Sequence, residues 1–446
     1  MDLAGLIPSF GNLALTLVAF IVALTIIVFI HEMGHYLVGR WSGIKADVFS
    51  IGMGPVLASR MDRHGTRWQV AAFPVGGYVR FHGDANAASG SADEDALEGM
   101  SEAERRSTLH GAPLWARAAT VAAGPVSNFI LSVVIFAAMA MWAGVATDPL
   151  TVAALKPVPG GEGTLEPGDE ILAIGGQKTP KLEDFGGYVE SLPDQSPLIW
   201  TVRRDGAEID LSALHPYPPF VGAVSPQSAA EDAGLKVGDL IEAVDGRPIA
   251  TFEDLRRIVT GGGGEDLTLT INRAGEEIEV TLTPRRVDLP LEDGGFETRW
   301  LIGISGGLIF EPATRTAGLG EGIRAGVGQV VYIVNASISG LYHMVTGAIS
   351  SCNLRGPIGI AEVSGSAASQ GTASFIWFIA VLSTAVGLLN LFPIPVLDGG
   401  HLMFHLYEAI AGRAPSQRAL SILTTIGLMA VLAIMALGVT NDLFCP

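Results

Sequence analysis

An apolar run that ends in ionisable residues is the feature that most constrains this chain. Residues 13–30 contain no charged side chain, and the run ends in His31-Glu-Met-Gly-His35. As a helix these residues rise about 27 Å, nearly the ~30 Å thickness of a bilayer's hydrocarbon core. A charge near the centre of such a helix costs roughly 2.5–3.5 kcal/mol on insertion scales. The ionisable groups at the end of this run therefore predict a functional site within a membrane.

The spacing of these residues is that of the HExxH metal site. His31 and His35 are four residues apart and share one helix face, and Glu32 lies beside them as a candidate general base. Catalytic zinc needs three protein ligands and an open position for water. Asp398, in the segment NLFPIPVLDGG that begins at Asn390, is the candidate third ligand. The sequence thus predicts one zinc ion per chain, although zinc is chosen over other divalent ions by ligand type alone.

Composition indicates membrane spans together with a sizeable water-soluble part. The chain has 446 residues, of which 49% are hydrophobic and 16% charged. The net charge of −18, without a basic cluster, argues against a nucleic-acid partner. The N-terminal thirteen residues contain no Lys or Arg, so we expect the first apolar segment to remain as a span rather than to be a cleaved signal peptide.

Hydropathy predicts four transmembrane helices, and the charge distribution predicts their orientation. The helices are expected at Asn12–Val38, Arg117–Val145, Ser374–Leu391 and Leu420–Val439. Nine Lys and Arg residues lie from Arg40 to Arg117, the last of them at the start of the second helix, and two lie between the last two helices, whereas neither tail has any. By the positive-inside rule, both short loops are cytoplasmic, and the termini and the long middle region lie outside. The first and third helices then both run inward, which brings His31 and Asp398 to the same side.

The middle region contains an internal repeat. LEPGDEILAIGG, from Leu165, matches LKVGDLIEAVDG, from Leu235, and the pair TVRRDGAEID and TINRAGEEIE repeats at nearly the same offset. Each copy alternates short apolar strands with Gly turns. Both copies resemble PDZ domains, which bind peptides by adding a strand to a sheet edge. The alternative is a pair of generic β-rich spacers.

The segment after Leu289 shows a looser pattern. Residues 318–347 are Gly-rich and apolar without a clean eighteen-residue run, which indicates helices on or near the outer membrane surface. A fifth membrane span is the competing interpretation. Residues 84–106 are interpreted as an acidic loop rich in Ala, Ser and Gly.

Four parts of the chain show a family resemblance: the HExxH helix, the Asn390–Gly400 segment, both repeats, and the segment AGPVSNF that begins at Ala123. In these parts the chain resembles the site-2 protease family of intramembrane zinc metalloproteases. The resemblance is to the branch of bacterial sigma-E regulator proteases with two periplasmic PDZ domains, and it covers nearly the whole chain. It implies that Glu32 activates water and that His31, His35 and Asp398 bind zinc. It further implies that Asn390 contacts an unwound substrate, and that SIGMG, from Ser50, forms a membrane-reentrant β-element with Trp68–Val79. The expected substrate-binding residues are Asn390, Gly52, Gly54, Pro393 and Pro395.

The expected fold class is a membrane α-helical protein with four transmembrane helices, inserted α+β PDZ domains and a small re-entrant β-element. The expected domains are residues 1–146 with the first two helices, 147–216 and 217–286 as PDZ domains, 287–373 as a membrane-surface segment, and 374–446 with the last two helices. The resemblance implies a multi-pass protein of the bacterial inner membrane. Its PDZ domains would be periplasmic and its active site near the cytoplasmic side.

The resemblance also implies the substrates and the reaction. They are single-span membrane proteins, such as a pre-trimmed anti-sigma factor or remnant signal peptides, cleaved within the membrane in a stress-response cascade. Membrane lipid and peptide ligands of the PDZ domains are the other expected partners. The alternatives are a membrane-anchored PDZ scaffold with a non-catalytic metal site and, less favoured, a metal transporter.

Several residues allow more than one interpretation. His401 and His405 form another i, i+4 pair, which is either a ligand pair or a set of polar groups around the site. Ser305, between glycines, has the pattern of a serine-protease elbow but is interpreted as part of a Gly-rich turn. Cys352 and Cys445 both fall on the oxidising side, where a disulfide is allowed. Asn128 makes either an interhelical hydrogen bond or part of the active-site surround. The remaining histidines that we interpret as surface or loop residues are His64, His82, His110 and His215.

Overall fold

A computed structural model gives the fold, and it describes residues 13–84, 100–158, 165–225, 228–291 and 295–445. The chain divides into two compact units. One unit combines Met1–Met139 with Gly320–Pro446, and the other is Ala140–Leu319. The N-terminal residues 1–12 and most of the predicted acidic loop, residues 85–99, lie outside the described residues.

Two long helices dominate the N-terminal part of the first unit. Helix α1 is Leu13–Trp41, and helix α3 is Leu114–Ala143; a short helix between them, α2, is Glu102–Arg106. In α2, Ser101 and Glu104 form a capping box in which each side chain accepts a hydrogen bond from the other residue's backbone N–H. Thus part of the segment expected to be an acidic loop is a capped helix.

The two strands between α1 and α2 fold into a small antiparallel sheet. Strand β1 is Ala46–Met61 and strand β2 is Arg67–Phe81. Both strands bend. Residues 48–51 pair with residues 77–80 on one side and with residues 67–70 on the other. Residues 67–71 pair also with residues 56–61. Gly52 and Gly54 have φ of +85° and +88°, a region that glycine enters without strain, and they lie where β1 bends. Residues 77–80 therefore form one edge of a four-segment sheet.

The second unit contains two repeats of the same α/β arrangement. The first repeat has a sheet of order β6-β5-β7-β8 with helix α4, and the second has a sheet of order β11-β10-β12-β13 with helices α5 and α6. The strands of this unit up to β13 are β3 Val145–Ala146, β4 Val152–Leu155, β5 Glu170–Ile174, β6 Gln177–Lys178, β7 Leu198–Arg204, β8 Ala207–Ala213, β9 Ala223–Val224, β10 Leu240–Val244, β11 Arg247–Pro248, β12 Leu267–Arg273 and β13 Glu276–Leu282. The helices are α4 Phe185–Glu190, α5 Ala229–Asp232 and α6 Phe252–Gly261.

Each repeat is completed by a strand from later in the chain. The last strands are β14 Arg285–Pro290, β15 Phe296–Leu301, β16 Ile304–Ser305, β17 Phe310–Pro312 and β18 Thr314–Arg315. Strand β16 pairs with β9, β17 with β4 and β18 with β3. Phe310 is buried in the core of the first repeat and Ile302 in that of the second. Residues 302–312, which the sequence analysis assigned to a segment after the domains, thus contribute to both cores, and Ser305 lies in a strand.

A buried ion pair occupies the same place in each repeat. Asp169 accepts hydrogen bonds from Arg204 at 2.7 Å, and Asp239 accepts from Arg273 at 2.7 Å. Burial raises the pKa of each aspartate, but the hydrogen bonds from the arginine outweigh it, so both pKa values lie below the usual range. This explains the Gly-Asp pair of the repeated signature, because its aspartate joins the start of β5 to β7 in the first repeat and the start of β10 to β12 in the second.

The C-terminal part of the first unit is helical. Its helices are α7 Leu319–Val345, α8 Pro357–Ser369, α9 Thr372–Leu391, α10 Asp398–Ala411 and α11 Gln417–Phe444. Among the described residues, four helices, α1, α3, α9 and α11, are long and apolar enough to cross a membrane, as the sequence predicts. Helix α7 is not one of these four, although many of its large apolar side chains are exposed.

The C-terminal end of α11 is held by three kinds of contact. Cys352 and Cys445 form a disulfide, with Cα atoms 5.7 Å apart. The carboxylate of Asp442 accepts backbone hydrogen bonds from Gly356, Ile358 and Gly359 and so caps the start of α8. The side-chain Nδ2 of Asn441 donates hydrogen bonds to the carbonyl oxygens of Ser351 and Leu354, just before α8. The disulfide, left open by the sequence, is therefore formed.

Candidate metal centre

Three side chains from α1 and α10 converge on one point. His31 Nε2 lies 3.1 Å from Asp398 Oδ2, His35 Nε2 lies 3.5 Å from the same oxygen, and the two Nε2 atoms are 3.2 Å apart. Of the described residues, these three form the group whose atoms are arranged to hold a metal ion. The ligand set that the sequence predicts is thus brought together in space.

These distances fit a tetrahedral zinc ion. Zinc binds imidazole nitrogen and carboxylate oxygen at about 2.0–2.2 Å, so the edges of its coordination tetrahedron are about 3.3 Å long. The observed separations of 3.1, 3.2 and 3.5 Å are close to that value. Three ligand atoms fill one face of the tetrahedron, and the fourth position remains for water or substrate.

The hydrogen bond to the other nitrogen of His35 leaves its Nε2 free as a ligand. His35 Nδ1 lies 2.8 Å from the carbonyl oxygen of Thr120 on α3. Because a carbonyl oxygen only accepts, Nδ1 carries the proton and Nε2 presents its lone pair. A backbone carbonyl behind a ligating histidine is a common second partner in metal sites.

Asn128 plays the same part for His31. Asn128 Nδ2 lies 3.2 Å from His31 Nδ1, and Asn128 Oδ1 is buried without a partner among the described residues. The oxygen and nitrogen of an amide are assigned from their hydrogen bonds. With the amide turned by 180°, Oδ1 accepts from His31 Nδ1–H. Both histidines then aim lone pairs at the carboxylate of Asp398, an arrangement that a bound metal cation would stabilise.

Glycines make the close approach of α1 and α3 possible. A Cβ atom at Gly34 would collide with the carbonyl of Ala123 and the hydroxyl of Ser127. A Cβ atom at Gly124 would collide with His35 Nε2, which is itself one of the converging atoms. The glycine of the AGP segment therefore leaves room for the metal site.

The turn that carries Asp398 is equally tight. Asp398 is the first residue of α10, and Gly399 and Gly400 pack against the carbonyls of Leu391, Phe392 and Ile394 at the end of α9. A carboxylate must be ionised to act as a metal ligand, and the position of Asp398 at the start of α10 favours its negative charge.

Glu32 faces the same cavity from α1. Its carboxylate accepts a hydrogen bond from the backbone N–H of Val79, and its Cγ lies against Gly77. Both residues belong to the edge segment of the sheet. The candidate base is thus positioned by a strand edge next to the metal centre.

These groups line a cavity of about 460 Å³. Asn390 lines it from α9, although its Nδ2 donates to Val386 at 3.1 Å. Gly52, Gly54, Pro393 and Pro395 do not line it in the described part of the chain; Pro395 instead packs against Gly400 and Gly427. The other residues predicted for the site do line the cavity, namely His31, Glu32, His35 and Asp398.

The remaining histidines agree with the sequence-based interpretations in part. His401 and His405 line the cavity but are not part of the ligand group, and burial, followed by the charge of Arg117, lowers the pKa of His405 to about 4. His110 lines the same cavity and lies 3.3 Å from Asp84. His82 pairs with Asp47, and His64 is exposed. His215 lies in a loop, as expected, but it is buried rather than at the surface, and burial lowers its pKa.

Two partners of the site were missed by the sequence analysis. The carbonyl of Thr120 gives no sequence signal, because every residue carries one. The ion pair of Arg117 with Glu408 joins residues far apart in the chain. The only sequence signal for this pair was one charged residue in each helix, Arg117 near the start of α3 and Glu408 near the end of α10.

The chain is similar to a peptidase family and to proteins named as zinc metalloproteases. The profile described as Peptidase family M50 matches residues 19–434. A protein of Agrobacterium fabrum that is named as a zinc metalloprotease is 37% identical over 438 residues, which cover 97% of each chain. A protein of Rhizobium meliloti with the same kind of name is 37% identical over 97% of each chain. The regulator of sigma-E protease of Escherichia coli is 32% identical, covering 96% of this chain and 98% of its own.

Proposed function

The chain belongs to peptidase family M50, and on that premise we propose that His31, His35 and Asp398 bind its zinc ion and that Glu32 is the general base. The protein is a zinc metalloprotease of regulated intramembrane proteolysis. The single observation that supports the residue assignment is the 3.1–3.5 Å spacing of two Nε2 atoms and one carboxylate oxygen.

The reaction is peptide-bond hydrolysis, in which Glu32 moves the proton. Held by His31, His35 and Asp398, a zinc ion would supply Lewis-acid chemistry, polarising the scissile carbonyl and lowering the pKa of water toward 7. Glu32 takes a proton from the attacking water as the new C–O bond forms, and it gives that proton to the leaving nitrogen as the C–N bond breaks. Val79 N–H fixes the Glu32 carboxylate for both transfers. The carbonyl of Thr120 orients His35 and the side chain of Asn128 orients His31, so that the Nε2 lone pair of each histidine is directed at the metal position.

Metal removal tests this function directly. We expect a chelator to lower cleavage of a single-span substrate in detergent more than about a hundredfold, because no residue replaces the Lewis acid. One equivalent of zinc should restore the activity, whereas magnesium should not, because histidine ligands suit zinc and not a hard cation. Cleavage by protein that metal analysis shows to be free of zinc would contradict the proposal.

The edge of the small sheet is the proposed holding site for the substrate. A transmembrane helix hides its peptide bonds in internal hydrogen bonds, so cleavage requires local unwinding. The freed segment pairs with the edge formed by residues 77–80, beside Glu32, and Asn390 hydrogen-bonds to it from α9. Gly52 and Gly54 then act indirectly, by bending β1, and Pro393 and Pro395 by shaping the turn before Asp398. We propose that this sheet is the membrane-reentrant element.

The two repeats are proposed to be PDZ domains. A cavity of about 480 Å³ lies between α4 of the first repeat and α6 of the second, lined by apolar side chains such as Phe185 and Phe252. His215 Nε2 is buried there without a partner among the described residues. An extended peptide is the ligand that fits such a site.

The substrates are proposed to be single-span membrane proteins, among them an anti-sigma factor or remnant signal peptides. The relative named for sigma-E regulation supports the first of these. We propose that the repeats act as a size filter, so that a trimmed substrate reaches the site and one with a bulky folded ectodomain does not.

Deletion of residues 147–313 tests the size filter. The structure favours these limits, because Ala146 pairs with Thr314 and the two ends are already neighbours. The variant should cleave both untrimmed and trimmed substrates, whereas the intact chain should cleave only the trimmed one. A variant that cleaves the trimmed substrate but still rejects the untrimmed one would show that the repeats do not filter by size.

The orientation in the inner membrane is proposed from charge and from the disulfide. Nine Lys and Arg residues lie from Arg40 to Arg117, in and beside the loop between the first two spans, which supports a cytoplasmic loop by the positive-inside rule. Disulfides persist in oxidising compartments, and the Cys352–Cys445 disulfide at the C-terminal end of α11 supports a periplasmic location for that end. Both termini and the repeats are then periplasmic, and the metal centre is near the cytoplasmic side.

A further inference from the structure

We propose that Arg117 and Glu408 are positioning residues that hold Asp398 in the metal centre. This inference rests on the proposed ligand set. Arg117 Nη1 donates to Glu408 Oε2 at 3.0 Å, and Nη2 donates to Oε1 at 2.6 Å. The side chains are only 15% and 20% exposed. Arg117 Nε also donates to the carbonyl of Ala112, so the guanidinium is held on a third side.

The pair joins the two helices whose relative position decides the metal geometry. On α3, Arg117 lies one turn before Thr120, whose carbonyl orients His35. On α10, Glu408 lies ten residues after Asp398, or about 15 Å along the helix axis. The ion pair therefore ties the far end of the helix that carries the third ligand to the helix that orients a histidine ligand.

Apolar packing is poorly placed to fix α10. Asp398, His401, His405 and Glu408 all line the cavity, at the three- and four-residue spacing of a single helix face, so this face is polar. Four of the six large apolar side chains of the helix are exposed, namely Met403, Leu406, Tyr407 and Ile410, and the other two, Leu402 and Phe404, are only half-buried. Close packing at Gly399 and Gly400 holds the start of α10, and a directional polar contact fixes the other end; a bidentate arginine–carboxylate pair is such a contact.

Zinc affinity is the readout that separates positioning from a general effect on folding. We expect Arg117→Gln and Glu408→Gln each to raise the zinc dissociation constant of the folded protein about tenfold, measured by competition with a chromogenic chelator. Arg117→Lys keeps the charge but loses the bidentate fork, so it should show an intermediate increase. Activity should recover partly in excess zinc. Arg413→Gln, at an exposed residue two positions beyond α10, removes a similar charge and should leave the dissociation constant unchanged.

The charge-reversed pair Arg117→Glu with Glu408→Arg keeps the experiment decisive if single variants fold poorly. Its zinc dissociation constant should lie closer to wild type than either single reversal, because the ion pair is re-formed. Folded Arg117→Gln or Glu408→Gln protein with wild-type zinc affinity would overturn the proposal, provided that Asp398→Asn loses zinc. If Asp398→Asn itself keeps wild-type affinity, the ligand set is wrong and the inference falls with it.

Discussion

Replacing Glu32 by Gln is expected to lower cleavage of a single-span substrate roughly 10³-fold while zinc stays at one ion per chain. Glutamine keeps the size of the side chain and its oxygen can still accept the hydrogen bond from Val79 N–H. It has no carboxylate to take a proton from water, so the attacking nucleophile is not generated. Turnover at saturating substrate and metal content per folded chain are the two measurements.

The matched control for Glu32→Gln is Glu102→Gln. Glu102 is an exposed residue in the first turn of α2, outside the metal cavity, and the same substitution there should leave turnover unchanged. Undiminished cleavage by Glu32→Gln would remove the assignment of Glu32 as base. Loss of zinc together with cleavage would instead show that Glu32 supports the metal rather than the proton transfer.

The sequence predicted the two halves of the centre because each half has its own local signal. The i, i+4 spacing of the histidines places them on one helix face whatever the rest of the fold. The prediction that Asp398 lies beside these histidines came from the direction in which the first and third spans cross the membrane. The spans were predictable because each is a long apolar run, and their ends differ from the prediction where polar residues extend the helix. Helix α11, for example, begins at Gln417 after a Ser416 cap.

The partners behind the ligands could not be predicted from sequence. The carbonyl of Thr120 and the pair of Arg117 with Glu408 depend on how the helices pack, and the second contact joins residues 291 positions apart. The same reason explains the strands at residues 304–312. They pair with strands far back in the chain, and their sequence is too short to show an alternating pattern. Only tertiary structure reveals such contacts.

Replacing Asp398 by Asn, or His35 by Ala, is expected to weaken zinc binding by more than about a hundredfold. Loss of a partner behind a ligand already costs 10–100-fold, and loss of the ligand itself should cost more. In Asp398→Asn the amide keeps the shape but lacks the negative charge, so two neutral histidines are left to bind a divalent ion. Metal content after gel filtration and a zinc competition titration measure the effect.

Variants of the second histidine pair are the sharpest controls for this loss of zinc. His401 and His405 line the same cavity within seven residues of Asp398 but do not belong to the converging group. His401→Ala and His405→Ala should therefore keep about one zinc ion per chain, whereas His35→Ala should not. Zinc lost equally from all of these variants would indicate a site spread over α10. Zinc retained by Asp398→Asn would restrict the ligands to α1 and leave the carboxylate without its proposed role.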